Sequence, residues 1–333
     1  MDSKLCITAL AALLLSVPAA ADEITVYTSY EEDEAARFLE LAKQDMPDLE
    51  VNMLRLSTGE LAARIIAEKA NPQHDVIWGF AASTIVTPQI EETLEAYRPK
   101  GIDAVPAEFR DADDKWFAVT GYMAAFCVND ERLEKLGLEK PTSWKDLLDP
   151  KYKGEIVMPN PASSGTGYIQ VSSLLQMMGE DEGWAFLEKL DENIAQYIKS
   201  GSKPCHAASA GEFAVGASYD MRAIKNIEEG YPISMVIPAE GSGNELEANA
   251  LVATSKNKDA AKRFLDWTVT KTAADAYLEW KAIVTIPGGN MPQRFLDAGL
   301  PADTNSVLHP TDFKAAAEDR KEIITTWQEK FER

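Results

Sequence analysis

The sequence predicts an α/β protein built as two lobes, and three observations carry that prediction. Strand-like and helix-like segments alternate at βαβ spacing near the start of the chain. A second α/β region opens near Gly121 with no Gly/Ser- or Pro-rich linker before it. A late strand-like run at 251–253 leads back towards the first region, so the chain crosses between regions twice, near 119–122 and 248–252.

In the first region, Glu23-Ile24-Thr25-Val26-Tyr27 reads as a strand and residues 33–45 as a helix with Ala35, Ala36, Leu39 and Ala42 on one side. Residues 49–56 form a second strand, 61–70 a second helix and 75–78 a third strand. Ligands in parallel α/β sheets sit beyond the C-terminal ends of the strands. That rule directs attention to Tyr27–Tyr30, Ser57–Glu60 and Trp78–Ser83. In the second region, strands are expected at 124–128, 155–158, 217–220 and 233–237. Helices are expected to start at Thr142-Ser143-Trp144 and to cover 182–190, 211–215 and 221–229. The rest reads as helix over 258–267, 272–280 and 312–331.

Lys4, the apolar run 5–17 and Ala19-Ala20-Ala21 have the pattern of a secretory signal peptide. The mature chain is then expected to begin at Asp22, exported to the periplasm and monomeric. Cys6 precedes the cleavage point and is no lipid-attachment site. Cys127 and Cys205 remain; an oxidising compartment permits a disulfide, but Cys127 also suits a buried strand position. The formal net charge of −21 argues against nucleic acid and anionic membranes as partners.

The stretch Met158-Pro159-Asn160-Pro161-Ala162-Ser163-Ser164-Gly165-Thr166-Gly167-Tyr168 places hydroxyls and glycines where a helix begins. Helix starts carry unpaired N–H donors and partial positive charge, so this segment suits an anion; an ordinary N-cap is the alternative. Ser57-Thr58-Gly59-Glu60 is a capping box, with Thr58 and Gly59 as candidate donors and Glu60 as a candidate cation partner. Tyr27, Ser29 and Glu31 follow the first strand; Trp78 and Phe80 line a pocket or fill the sheet–helix layer. Tyr219-Asp220 faces a cleft or caps a helix. His74, His206 and His309 have no metal-binding spacing, and no P-loop, GxSxG or dinucleotide fingerprint occurs.

Ile24-Thr25-Val26-Tyr27, Ser57-Thr58-Gly59-Glu60-Leu61, Asp75-Val76-Ile77-Trp78-Gly79, Pro141-Thr142-Ser143-Trp144 and Pro159-Asn160-Pro161-Ala162-Ser163-Ser164-Gly165-Thr166-Gly167 fall in an order that resembles the type 2 periplasmic solute-binding proteins of ABC importers. The chain looks most like the 2-aminoethylphosphonate-binding branch, which is related to ferric-iron and hexose-phosphate binders. The resemblance implies two lobes, each a mixed sheet flanked by helices, with ligand in the interlobe cleft and an inner-membrane permease as partner. It places lobe 1 at 22–120 plus 249–333 and lobe 2 at 121–248. It implies phosphonate donors at Ser29, Thr58, Gly59, Ser163, Ser164, Gly165, Thr166, Gly167 and Tyr219. The amine or cleft wall falls to Tyr27, Glu31, Glu60, Trp78, Phe80 and Asp220. No cofactor, metal or catalysis is expected. Iron is disfavoured because Asp220 stands where iron-binding relatives carry a second tyrosine. An exported hydrolase using Ser163 or Ser164 is the remote alternative.

Overall fold

The computed structural model describes residues 22–332; the signal-peptide reading falls on residues 1–21, outside them. Parallel strands β1 (Asp22–Thr28), β2 (Leu49–Arg55) and β3 (Val76–Ala81) alternate with helices α1 (Glu32–Asp45) and α2 (Thr58–Ala67). All six residues of β3 are buried, as an apolar strand covered on both faces must be. Short α3 (Ala82–Ile85), α4 (Pro88–Glu91) and β4 (Leu94–Glu95) lead to β5 (Phe117–Asn129), a strand of 13 residues.

The next segments are α5 (Asp130–Leu136), β6 (Ile156–Pro159), α6 (Gly165–Met178), α7 (Glu180–Asp191), β7 (Ile194–Ile198), α8 (Lys203–Ser209), β8 (Val215–Tyr219), α9 (Asp220–Glu228) and β9 (Ile233–Val236). Strand β10 (Asn244–Val252) returns. It precedes α10 (Lys258–Trp267), α11 (Lys271–Leu278), β11 (Ile283–Val284), α12 (Gln293–Asp297), α13 (Phe313–Glu318) and α14 (Arg320–Phe331).

The sheet path is β2-β1-β3-β10-β5-β8-β6-β7. Its midpoint is the antiparallel pair β5–β10, where residues 117–123 face 244–249. The first half of β5 therefore belongs to one lobe's sheet, while Ala124–Val128 pairs with β8 in the other. Continuous strands, rather than a loose linker, carry the chain between lobes. The first core gathers Phe38, Trp78, Phe264 and Tyr277; the second gathers Phe126, Trp144, Tyr168 and Leu190. The chain after β10 divides between them. Phe264 to Ile286 fill the first core, whereas Ala316, Ile323, Trp327 and Phe331 enter the second, and Phe295 packs with Met123 and Cys127.

Four sequence expectations shift. The helix expected at 211–215 lies earlier, at α8, because Gly211 takes a left-handed φ of 77° that ends it and Val215 begins a strand. The helix expected from Thr142-Ser143-Trp144 is only a 3-10 turn, Lys145–Leu148, closed off by Pro150. The last expected helix divides at Asp319 into α13 and α14. The late strand begins seven residues earlier than read, at Asn244, and is buried along its whole length.

Cys127 on β5 and Cys205 on α8 form a disulfide, with Cα atoms 5.2 Å apart and 78 positions of sequence between them. Closing so long a loop removes freedom from the unfolded chain. Replacing both cysteines by alanine is expected to lower stability by about 2–4 kcal/mol in urea unfolding. An unchanged midpoint would contradict that role.

Candidate functional site

The C-terminal ends of β1, β2 and β3 and the start of α6 meet at one narrow crevice with a cavity volume of about 50 Å³. One wall comes from the segments following β1 and β2: Ser29, Glu31, Arg55, Ser57 and Thr58. The opposite wall is Ser164, Gly165 and Thr166 at the start of α6, with Gly201 and Tyr219. Tyr122 and Glu247, on the two crossing strands, complete the lining with Glu34, Gly79, Ala81 and Lys281.

The walls touch. The Gly59 N–H donates to the Ser163 carbonyl at 2.9 Å, which seats the first turn of α2 against the turn before α6. No side chain fits there: a Cβ on Gly59 would lie 2.1 Å from the Ala162 carbonyl oxygen. Higher up, the Tyr219 hydroxyl donates to Glu31 at 3.3 Å, and Glu31 pairs with Arg55 at 3.0 Å. Lys225 and Asp33 form a further ion pair between α9 and α1.

Of the residues expected to bind, Ser29, Thr58, Ser164, Gly165, Thr166, Tyr219 and Glu31 border this crevice. The Ser29 hydroxyl is buried and makes no hydrogen bond among the described residues. Ser164 caps α6, accepting the Gly167 N–H at 3.3 Å.

The others lie elsewhere. Gly59 and Gly167 spend their amides on protein, and the Ser163 hydroxyl donates to the Lys199 carbonyl at 3.2 Å. Tyr27 is core: its hydroxyl donates to Glu68 at 2.8 Å and its ring stacks on His74 at 4.1 Å. Trp78 and Phe80 are fully buried in the sheet–helix layer. Glu60 is exposed and the capping box does not form, so it neither caps α2 nor borders the crevice. Asp220 is wholly buried beneath β5, its Oδ1 accepting the Met123 N–H at 3.3 Å and its Oδ2 making no hydrogen bond among the described residues. Burial pushes its carboxyl up to about 7.

Sequence reasoning missed the charged floor. Lys281 Nζ lies 3.1 Å from Glu34 and 2.8 Å from Glu247, and 4.6 Å above the Tyr30 ring. Burial works against the Lys281 ammonium, yet Glu247 and Glu34 together hold it above its ordinary range. Burial raises the Glu34 carboxyl, and Lys281 pulls it back. Thr120 donates to the second oxygen of Glu247 at 2.6 Å and contacts the Tyr30 hydroxyl at 2.7 Å. Each acid bordering the crevice thus has a cationic partner: Glu31 has Arg55, and Glu34 and Glu247 share Lys281.

The phenols of Tyr122 and Tyr219, with ring centres 5.5 Å apart, are both held well above their ordinary range by burial, reinforced by Glu245 and Glu247 for Tyr122 and Glu31 for Tyr219. They are neutral hydrogen-bond donors. No histidine borders the crevice to serve Ser164 as a base. Among the described residues no cluster of three or more His, Cys, Asp or Glu could hold a metal, and no helix is long and apolar enough to cross a membrane.

Residues 71–294 match the family described as bacterial extracellular solute-binding protein. The chain is 31% identical to the periplasmic binding protein AfuA from Actinobacillus pleuropneumoniae, solved with fructose-6-phosphate bound. The match covers 93% of this chain and 98% of that one, with a TM-score of 0.84. It is 26% identical, over 98% of its length and 90% of the relative's, to a probable ABC transporter periplasmic-binding protein of Sinorhizobium fredii. A putative 2-aminoethylphosphonate-binding periplasmic protein of Salmonella paratyphi A is 24% identical over 81% of this chain and 74% of its own length.

Because Gly59 leaves no room, Gly59→Ala is expected to hold the two walls apart while each core stays intact. Small-angle scattering should then report a larger radius of gyration, with the thermal midpoint within a few degrees of the parent. An unchanged scattering profile would contradict the role given to this contact.

Proposed function

The chain belongs to the bacterial extracellular solute-binding protein family, and we propose that its crevice captures a small phosphorylated polyol, of the hexose-phosphate kind, for delivery to an importer's membrane permease. One observation carries this choice of ligand: no carboxylate bordering the crevice is left without a cation. A ligand ammonium would have to compete with Arg55 or Lys281 for its acid. Sugar hydroxyls need no unpaired charge, since paired carboxylates still accept and ammonium still donates. The phosphate is served by the Ser29, Thr58, Ser164 and Thr166 hydroxyls, by the first amides of α6 and by Arg55.

2-Aminoethylphosphonate, the ligand to which the sequence resemblance leads, remains the second reading, favoured by the Salmonella relative. Of the acids assigned to its amine, Asp220 and Glu60 are outside the crevice, and Glu31 borders it but is paired with Arg55 at 3.0 Å. Ferric iron is served poorly by two phenols that burial keeps protonated. Binding proceeds without covalent chemistry. The lobe division that goes with this reading is 22–120 with 249–286 as the first lobe and 121–248 as the second, the last helices resting on the second core.

Calorimetry with fructose-6-phosphate, glucose-6-phosphate, glucose, 2-aminoethylphosphonate and ferric citrate tests the proposal. Both sugar phosphates are expected to bind at micromolar affinity or tighter, the other three at least a hundredfold more weakly. Ser164→Ala and Thr58→Val should each weaken sugar-phosphate binding about tenfold or more, the worth of a charge-assisted hydrogen bond. Tight binding of 2-aminoethylphosphonate with silence from both sugar phosphates would replace this ligand with the aminophosphonate.

A further inference from the structure

A second groove lies apart from the crevice, between α2–α4 on one side and α13–α14 on the other. Much of its lining is apolar, with Trp116, Leu246 and Phe313 along it. Three residues of the lining carry polar atoms that are buried and make no hydrogen bond among the described residues: Thr84 Oγ1, Arg110 Nη1 and Arg320 Nη1.

Arg320 is the anomaly. The residue is only 8% exposed and its guanidinium lies 4.0 Å from the centre of the Tyr168 ring, yet it forms no ion pair among the described residues. An arginine stays charged in a protein, and a buried charge without a counter-ion is strongly unfavourable. Glu245 acts on it only through space. That carboxylate is occupied by the Ser83 hydroxyl and amide and the Leu246 amide. None of the groove's four acids forms an ion pair with Arg320 among the described residues: Glu91 pairs with Lys115 at 3.4 Å and Glu318 with Lys314 at 3.8 Å, Asp111 accepts the Asp113 and Lys115 N–H groups at 3.1 Å, and Glu108 is exposed. Arg110 reaches Asp103 at 3.7 Å, a contact too long to satisfy its Nη1. Arg320 does not border the central crevice, so a solute held there would not neutralise it.

We propose that this groove is a second ligand site, taking an organic anion with an apolar body, its carboxylate held by Arg320, Arg110 and Thr84. Two guanidinium donors and a hydroxyl suit a planar carboxylate, and the Trp116–Phe313 surface suits an aromatic or branched aliphatic body. The site is independent of the ligand assigned to the crevice.

The probe is 4-bromobenzoate, with neutral 4-bromobenzyl alcohol as its control, titrated into the full chain by calorimetry. The carboxylate is expected to bind with one-to-one stoichiometry and the alcohol at least tenfold more weakly. Arg320→Gln, Arg110→Gln and Thr84→Val should each weaken carboxylate binding, Arg320→Gln by tenfold or more. Ser164→Ala, in the crevice, should leave it unchanged. Should Arg320→Gln fail to fold, the other two groove variants carry the same expectation. No binding at millimolar probe, equal binding of acid and alcohol, or loss only in Ser164→Ala would overturn the proposal. So would a groove-dependent dimer in light scattering, which would make a second copy the occupant.

Discussion

A single backbone hydrogen bond, from the Gly59 amide to the Ser163 carbonyl, sets the geometry on which the site depends. It brings the start of α2 within contact of the start of α6, so two sets of helix-start donors and hydroxyls border the same small volume. Neither set alone is unusual, since most helices begin with a hydroxyl cap. Their opposition across a crevice is what suits the proposed anion. The contact is possible only because position 59 lacks a side chain. It is modest in energy, about 0.5–1.5 kcal/mol net for one hydrogen bond. A ligand bridging both walls therefore adds to a small bias towards closure, and it shifts that equilibrium further only by its differential affinity for the closed form.

Beneath the crevice the structure accepts a costly arrangement. Lys281, Glu34 and Glu247 are almost fully buried, and breaking such a group by removing one partner costs about 3–5 kcal/mol. Its position explains why it is kept. Glu247 is on a crossing strand, Glu34 on α1 and Lys281 just after α11, so the group ties the sheet midpoint to the helices of the first lobe. It presents donors and acceptors to the crevice with their charges already balanced, the feature on which the proposal of a hydroxyl-bearing ligand rests.

Much of the fold was legible because its signals are local. The β-branched run Ile24-Thr25-Val26 in β1, the apolar run of β3 and the hydroxyl–glycine start of α6 declare themselves from neighbouring residues. The segment 158–168 was singled out for helix-start donors, and Ser164, Gly165 and Thr166 do border the crevice. What was not legible rests on pairing across the chain. Asn244-Glu245-Leu246-Glu247-Ala248-Asn249 alternates as a half-solvated edge strand would, yet it sits at the centre of the sheet and is buried. Its polar side chains meet Ser83, Thr120 and Lys281, partners 34 to 162 positions away. Nothing near Lys281 marks it as the partner of two acids. Asp220 and Glu60 misled for the opposite reason: each stands beside a binding segment, but the turn of the helix points one inward and the other to solvent. Trp78 and Phe80 flank Gly79, and Gly79, not its aromatic neighbours, borders the crevice.

The most direct test is a crystal structure of the chain grown with fructose-6-phosphate. The phosphorus is expected between the α2 and α6 starts, its oxygens within hydrogen-bond distance of the Ser164 and Thr58 hydroxyls, with the sugar hydroxyls towards Lys281. A phosphate bound against Lys281 instead, or a sugar phosphate lodged outside the crevice with the Gly59–Ser163 contact intact, would contradict it.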